Sequence, residues 1–453
     1  MNSNFKTGAI NHSTTPPSSS FQKCATENSL GKPRGWRAKF QLDVVAAVAD
    51  RGRGGSVCRG QRPRLQKMAR HARCSGEHIL MKRFPYGKKL WDNVREIPNA
   101  ARTVHPREFH ARGASINPAN RFEALHFEED PHDEVDEDSR PRKTIFYRDG
   151  SQSIIARNNS PDVGFETSVN PYRGCEHGCV YCYARPTHEY LGFSAGTDFE
   201  SRIMVKLDAP KLLEAELSSR KWRPQVIAIS GVTDPYQPIE RKLEITRGCL
   251  QVLSRFRNPV GIITKNRLVT RDSDLLGELA EFSCAAVNVS VTSLIEELQR
   301  VLEPRTSPPH ARLEAISKLR EAGVPVGVMV APVIPGLTDH EMPGILTACA
   351  KVGAQFAGYT IMRLPFAVAP LFERWLDEYF PERKAKVLSR IRSVRGGDRL
   401  SDPRWGTRIK GEGIFAEQIA RLFQMSCRKA GIGPRPELST QHFRRPREQL
   451  TLL

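Results

Sequence analysis

Six short apolar runs alternating with helical patterns predict an α/β chain organised around a parallel sheet. The runs lie near residues 167–172 and at 225–230, 260–264, 285–291, 326–331 and 357–362, and most are rich in Val, Ile and Ala. Near-continuous apolar strands are what a sheet buried on both faces requires. Between them, residues 209–220, 241–256, 272–282, 313–322 and 340–352 place apolar side chains at helical spacing. Strands that alternate with helices imply parallel neighbours joined by crossovers. Six such units fall short of the eight that close a TIM barrel.

Two extended pieces, 144–147 and 153–155, lead into the first run. Beyond the sixth unit, 371–379, 383–391 and 415–427 read as helices outside the sheet, interrupted by Gly396-Gly397 and by Arg404-Trp405-Gly406. Trp405, Phe415 and Phe423 interleave with basic residues there. A cap packed onto the sheet explains that spacing, and so does stacking against nucleic acid. The expected organisation is therefore a disordered basic segment at 1–80, a polar and acidic linker at 81–142, the α/β core at 143–370, a helical cap at 371–430 and a flexible basic tail at 431–453.

A chain of 453 residues with 39% hydrophobic content can bury a sizeable core. It contains no run of about 18 apolar residues, which excludes an integral membrane helix. Its cysteines are mostly scattered singly, so a reducing cytoplasm is the expected compartment. The formal net charge of +19 is uneven: residues 1–80 carry +10, residues 383–453 carry +11, and the part between is close to neutral at −2. Residues 1–80 combine a Ser/Thr/Pro tract at 13–20 with an Arg/Gly run at 51–55 and show no sustained period apart from a short apolar run at 44–48. An Arg/Gly-rich nucleic-acid tail is the functional alternative to plain disorder, and Met81 reads as an alternative start. The acidic run at 128–138 reads as a solvated linker.

The stretch Asn170-Pro171-Tyr172-Arg173-Gly174-Cys175-Glu176-His177-Gly178-Cys179-Val180-Tyr181-Cys182-Tyr183 concentrates the chemistry. Its C-x3-C-x2-C spacing gathers three thiols that can hold one metal centre. A structural zinc site is closed by four ligands, and zinc here would need His177 or one of the distant cysteines Cys249, Cys284, Cys349 and Cys427. A cubane cluster normally takes four thiolates as well. Three cysteines therefore leave one iron open to a substrate or cofactor.

With its aromatic residue before the last cysteine, this motif resembles that of the radical S-adenosylmethionine (SAM) superfamily. The resemblance implies a 4Fe–4S cluster on Cys175, Cys179 and Cys182, SAM bound at the open iron, and an external electron donor such as flavodoxin or ferredoxin. It also implies a partial, laterally open (β/α)6 TIM-like barrel, with chemistry at the C-terminal strand ends. On that pattern Tyr181 belongs to the cofactor site, and Thr233 and Asp234 stand where the family contacts the SAM amino group. Lys265 falls near the cofactor carboxylate, Ser290 and Thr292 near the ribose, and Pro332 in the turn that supports the adenine. Arg363, after the sixth run, reaches either an anionic group or a surface salt bridge. The wording from Asn170 to Pro186, followed by Thr233-Asp234-Pro235-Tyr236-Gln237-Pro238-Ile239-Glu240, resembles the spore photoproduct lyase-like (DNA repair photolyase-like) group. That resemblance implies a lyase-like enzyme acting on DNA or RNA. The alternative is a non-catalytic metal-binding module for nucleic acid.

Overall fold

The computed structural model describes residues 113–122 and 143–446, together with the backbone of a two-residue strand, β1 (Val94–Arg95). The expectations for residues 1–80, for Met81 and for the acidic run at 128–138 lie outside the described residues.

Further strands are β2 (Ile145–Arg148), β3 (Ile155–Arg157), β4 (Thr167–Val169), β5 (Tyr172–Arg173), β6 (Arg202–Val205), β7 (Ile227–Ile229), β8 (Val260–Thr264), β9 (Ala285–Ser290), β10 (Val326–Val333) and β11 (Phe356–Ile361). The α-helices are α1 (Thr197–Ser201), α2 (Ala209–Ser218), α3 (Glu240–Leu243), α4 (Ile245–Phe256), α5 (Ser273–Ala280), α6 (Glu296–Leu302), α7 (Pro309–Glu321), α8 (Met342–Lys351), α9 (Val368–Tyr379), α10 (Pro381–Ser393), α11 (Thr407–Lys410) and α12 (Ile414–Ala430). The main sheet runs β3, β4, β7, β8, β9, β10, β11. Strands β4 and β7 to β11 are parallel neighbours, and β3 joins antiparallel to β4. The six parallel strands are the six expected runs, each beside its successor in the chain. Edges remain at β3 and β11, so the sheet is an open, partial barrel.

The first run departs from expectation. Pro171 has no N–H to give to a ladder, so the chain leaves the main sheet after Val169. It enters a smaller sheet, ordered β1, β2, β6, β5, in which β5 pairs antiparallel with β6. Asn170 marks the switch, its Oδ1 accepting from the Val232 N–H (3.1 Å). The expected helix at 241–256 is likewise two helices, because Glu244 takes φ +51° between α3 and α4.

All six residues of β9 are buried, the polar Asn288 and Ser290 among them, as a strand covered on both faces requires. A second apolar cluster joins Cys179, Val180 and Tyr181 to Ile334 and Leu337, and to Phe372, Trp375, Val387 and Ile391 on α9 and α10. The helical cap thus closes over the cysteine segment. Helix α12 packs on the main core, with the Phe423 ring 4.6 Å from that of Tyr359 and Phe415 partly buried beneath Arg390. For these two aromatics, packing accounts for the spacing. Residues 431–446, read from sequence as part of a basic tail, return along the core: the Ser439 and Arg444 N–H groups donate to the carbonyls of Ser283 and Phe256, each at 2.9 Å. No helix among the described residues is long and apolar enough to cross a membrane.

Candidate metal and cofactor site

The cysteine loop follows β5 and turns on two glycines, Gly174 (φ +79°) and Gly178 (φ +67°), in backbone conformations that other residues adopt only with strain. A Cβ on Gly178 would also lie 2.8 Å from Glu200 Oε2. Cys175 and Cys179 are buried and Cys182 is half-buried. Beneath the loop lies Arg185, which donates to the carbonyls of Cys179 (3.0 Å), Gly178 (3.1 Å), Ala195 (3.2 Å) and Gly196 (2.9 Å). It also pairs with Glu200, both side chains being 0% exposed. Glu200 in turn accepts from the Gly113 and Ala114 N–H groups at 3.1 and 2.8 Å. The loop backbone is thus clamped by a buried charge pair.

Its second half is tied to the strand ends through Glu303, just after α6. Glu303 accepts from the Tyr181 and Arg312 side chains, and from Thr292 Oγ1 at 2.6 Å, while Lys265 Nζ stands 3.1 Å away. Lys265 also donates to the Ala331 carbonyl (2.8 Å) and to Thr292 Oγ1 (3.1 Å). Burial works against the ionised carboxylate, but Arg312, Lys265 and the two hydroxyls prevail and hold Glu303 well below the usual range. Tyr181, Lys265 and Thr292 therefore share one network, and Pro332 follows the carbonyl that accepts from Lys265.

The first half is tied to the loop after β7. Thr233 Oγ1 donates to the Gly174 carbonyl (2.7 Å), and the Glu176 N–H donates to Gln237 Oε1 (2.9 Å). Asp234 accepts from Thr264 Oγ1 (2.7 Å) and from the N–H groups of Tyr236 (2.9 Å) and Lys265 (2.8 Å), and lies 3.4 Å from His177 Nδ1. The Asn266 amide is oriented by the Leu268 N–H and Ser307 hydroxyl on its Oδ1, so its Nδ2 donates to His177 Nε2 (3.1 Å). Although burial opposes a charge on His177, Asp234 favours one. Asp234 and Cys175 together raise its pKa against that burial, and with Asn266 donating to Nε2 the neutral ring carries its proton on Nδ1, facing the carboxylate. Ser290 is buried at the end of β9, and its carbonyl accepts from Arg312 (2.9 Å).

Sequence reasoning missed Arg185, Glu200, Glu303 and Arg312. Arg185 stands within the wording from Asn170 to Pro186, which assigns it no role, and Glu200, Glu303 and Arg312 lie outside it and carry no spacing signal. Buried charges of this kind become visible only when the chain brings them together.

The donor set fits an iron–sulfur cluster. Cys175, Cys179 and Cys182 lie on one clamped loop and stand near enough for a charge on one to oppose ionisation of another, as ligands of one centre do. Burial pushes Cys179 well above the usual thiol range and Cys182 to about 11, so their thiolates need a bound cation.

Comparison with known proteins agrees. The profile of the Radical SAM superfamily matches residues 169–349. An uncharacterized protein of Mycobacterium bovis is 38% identical over 240 residues, 52% of this chain and 69% of the relative. A radical SAM Nalpha-GlyT isomerase of Pseudomonas phage M6 is 23% identical over 218 residues, 48% of this chain and 43% of that protein. Among solved structures, spore photoproduct lyase complexed with dinucleoside spore photoproduct aligns at TM-score 0.47 and 15% identity, covering 63% of this chain and 79% of that one. The chain belongs to the radical SAM superfamily, whose cofactors are a 4Fe–4S cluster and S-adenosylmethionine.

Proposed function

We propose that this radical SAM enzyme holds its cluster on Cys175, Cys179 and Cys182 and acts on nucleic acid. One observation carries the cluster assignment: both ring nitrogens of His177 are engaged, by Asn266 and Asp234, so the loop offers three thiols and no fourth ligand. Cys249, Cys284 and Cys349 belong to the main core and Cys427 packs against it, away from the cysteine loop. Held by these three cysteines, the cluster would supply the electron for reductive cleavage of SAM to a 5′-deoxyadenosyl radical, received from a donor of the flavodoxin or ferredoxin kind.

The chain's own residues supply orientation and exclusion of water. The Arg185–Glu200 pair fixes the loop backbone, Glu303 fixes Tyr181 between the second and third cysteines, and the apolar cap of α9 and α10 covers Cys179. SAM lies across the strand ends, against Thr233, Asp234, Lys265, Ser290, Thr292 and Pro332. The phage relative's name as an isomerase supports catalysis over a purely structural metal. The basic excess at residues 383–453 supports a polyanionic substrate, and lyase-like DNA repair is the form of that activity that the motif wording favours.

The test is anaerobic reconstitution, reduction with SAM present, and detection of 5′-deoxyadenosine. Replacing Cys175, Cys179 or Cys182 by Ala should each abolish the cluster's absorbance and the product. Full clusters in all three variants would overturn the assignment. A cluster that never cleaves SAM would leave the non-catalytic nucleic-acid-binding module.

A further inference from the structure

Two arginines of the basic C-terminal region, Arg404 and Arg408, are already occupied. Arg404 is held by Asp402 (2.8 Å) and Glu412 (2.5 Å), and Arg408 by Asp162 (2.5 Å). Arg363 differs. It is half-buried just after β11, the last parallel strand, and its guanidinium lies 4.8 Å from the centroid of the Tyr183 ring, beside Cys182. Asp162 is the carboxylate whose charge it senses, but that group is committed to Arg408 and to the Gly406 N–H. Among the described residues, no carboxylate lies within ion-pairing distance of Arg363.

Three residues further on stands Phe366, 51% exposed and held at φ +49°. A bulky residue in the left-handed region is an outlier, and one that persists at an exposed position points to a use for the side chain. The Arg121 guanidinium covers its ring at 3.9 Å. Arg121 is fixed by Glu189 (2.8 Å) and also faces Phe122 (4.7 Å) and Tyr190 (5.6 Å). The chain thus gathers the rings of Tyr183, Phe366, Phe122 and Tyr190 with two guanidinium groups, Arg363 on Tyr183 and Arg121 on the other three, and all four rings are among the exposed large side chains. The row begins one residue from the third cysteine, at the strand ends where a parallel sheet places its chemistry.

Exposed rings interleaved with arginine are suited to unpaired nucleobases, which stack on π faces and guanidinium planes while a phosphate meets the free charge. Bases inside a duplex present no such face. We propose that this row binds a single-stranded or locally unpaired stretch of nucleic acid, with bases on Tyr183 and Phe366 and a phosphate on Arg363. The inference rests on the nucleic-acid reading above and names the form of polymer that the site takes.

The test uses the full-length, reconstituted protein and fluorescence anisotropy with a labelled 12-nucleotide single strand and its duplex. Wild type should prefer the single strand. Phe366→Gly relieves the backbone, so the protein should melt no lower than wild type, yet single-strand affinity should fall about tenfold with duplex affinity unchanged. Arg363→Gln should reduce the salt slope on the single strand by about 0.7, the contribution of one phosphate. Iron content should match wild type in both variants. Wild-type preference for the strand with no change in either variant would overturn the row alone. Lack of any nucleic-acid binding by wild type would overturn the nucleic-acid reading together with it. Loss of SAM binding in Arg363→Gln at unchanged iron content would assign Arg363 to the cofactor and also overturn the proposal.

Discussion

Replacing Glu303 by Gln removes one charge at nearly constant shape, at the point where the cysteine loop meets three strand ends. Both carboxylate oxygens accept: Oε1 faces Tyr181, Thr292 and Lys265, and Oε2 faces Arg312. Whichever way the new amide turns, its NH2 group meets donors, and Arg312, 1% exposed, loses its counter-charge. Removing one partner of a buried pair costs about 3–5 kcal/mol. Lys265, whose side chain is 16% exposed, keeps enough solvent to add little. We expect denaturant unfolding of the apoprotein to show a loss of about 4 kcal/mol, with iron content falling because Tyr181 is no longer held. Glu303→Gln/Arg312→Met should recover at least half of the loss, since an apolar replacement of both partners leaves no stranded charge. Glu303 is held below its ordinary range in the folded state. Its contribution is therefore complete above about pH 4.5, is lost as pH falls below that value, and should be missing from the variant's pH profile. A loss under 1 kcal/mol with unchanged iron content would refute the reasoning.

Arg185→Met should likewise cost about 3–5 kcal/mol and lower iron content, because it strands Glu200 and frees the carbonyls of Gly178 and Cys179; an unchanged melting midpoint would contradict the clamp. His188 offers a pH signature. Its Nε2–H donates to the Arg202 carbonyl (2.8 Å), its Nδ1 is buried without a partner, and burial lowers its pKa to about 4. The neutral ring is the folded form, so stability should be complete above pH 6.5 and fall by about 1.4 kcal/mol per pH unit as pH drops toward 4. His188→Phe should flatten that slope in denaturant titrations across the same range, and a slope that persists would exclude His188 as its source.

What the sequence revealed followed from local pattern. The six strands announce themselves as apolar runs, β7 and β9 being buried throughout, and the three cysteines lie within eight residues of one another. The split of the first run at Pro171 was written in the sequence as well, in a residue that cannot donate to a ladder. Segment 185–205 was not legible, because its 3-10 turn, short α1 and β6 are too brief to show a period. Nor was the support beneath the loop. Glu303 lies 122 residues from Tyr181, and nothing in a stretch of charged residues tells which one will be buried. Asp234 shows the same limit. Its place after the second parallel strand was readable, whereas its four contacts with His177, Thr264, Lys265 and Tyr236 depend on how three loops meet.

The main sheet also orders events in time. The cysteines lie on the loop that follows the first parallel strand and leave the ribosome early, whereas Trp375, Val387 and Ile391, which cover that loop, are encoded about two hundred residues later. At about 5–20 residues per second, translation of that interval takes roughly 10 to 40 s. Throughout it the nascent chain carries three thiols without their full apolar lid, and for more than half of it without Glu303, the carboxylate that fixes Tyr181. The apolar cover of the cysteine loop is therefore complete only once the chain has been made as far as Ile391.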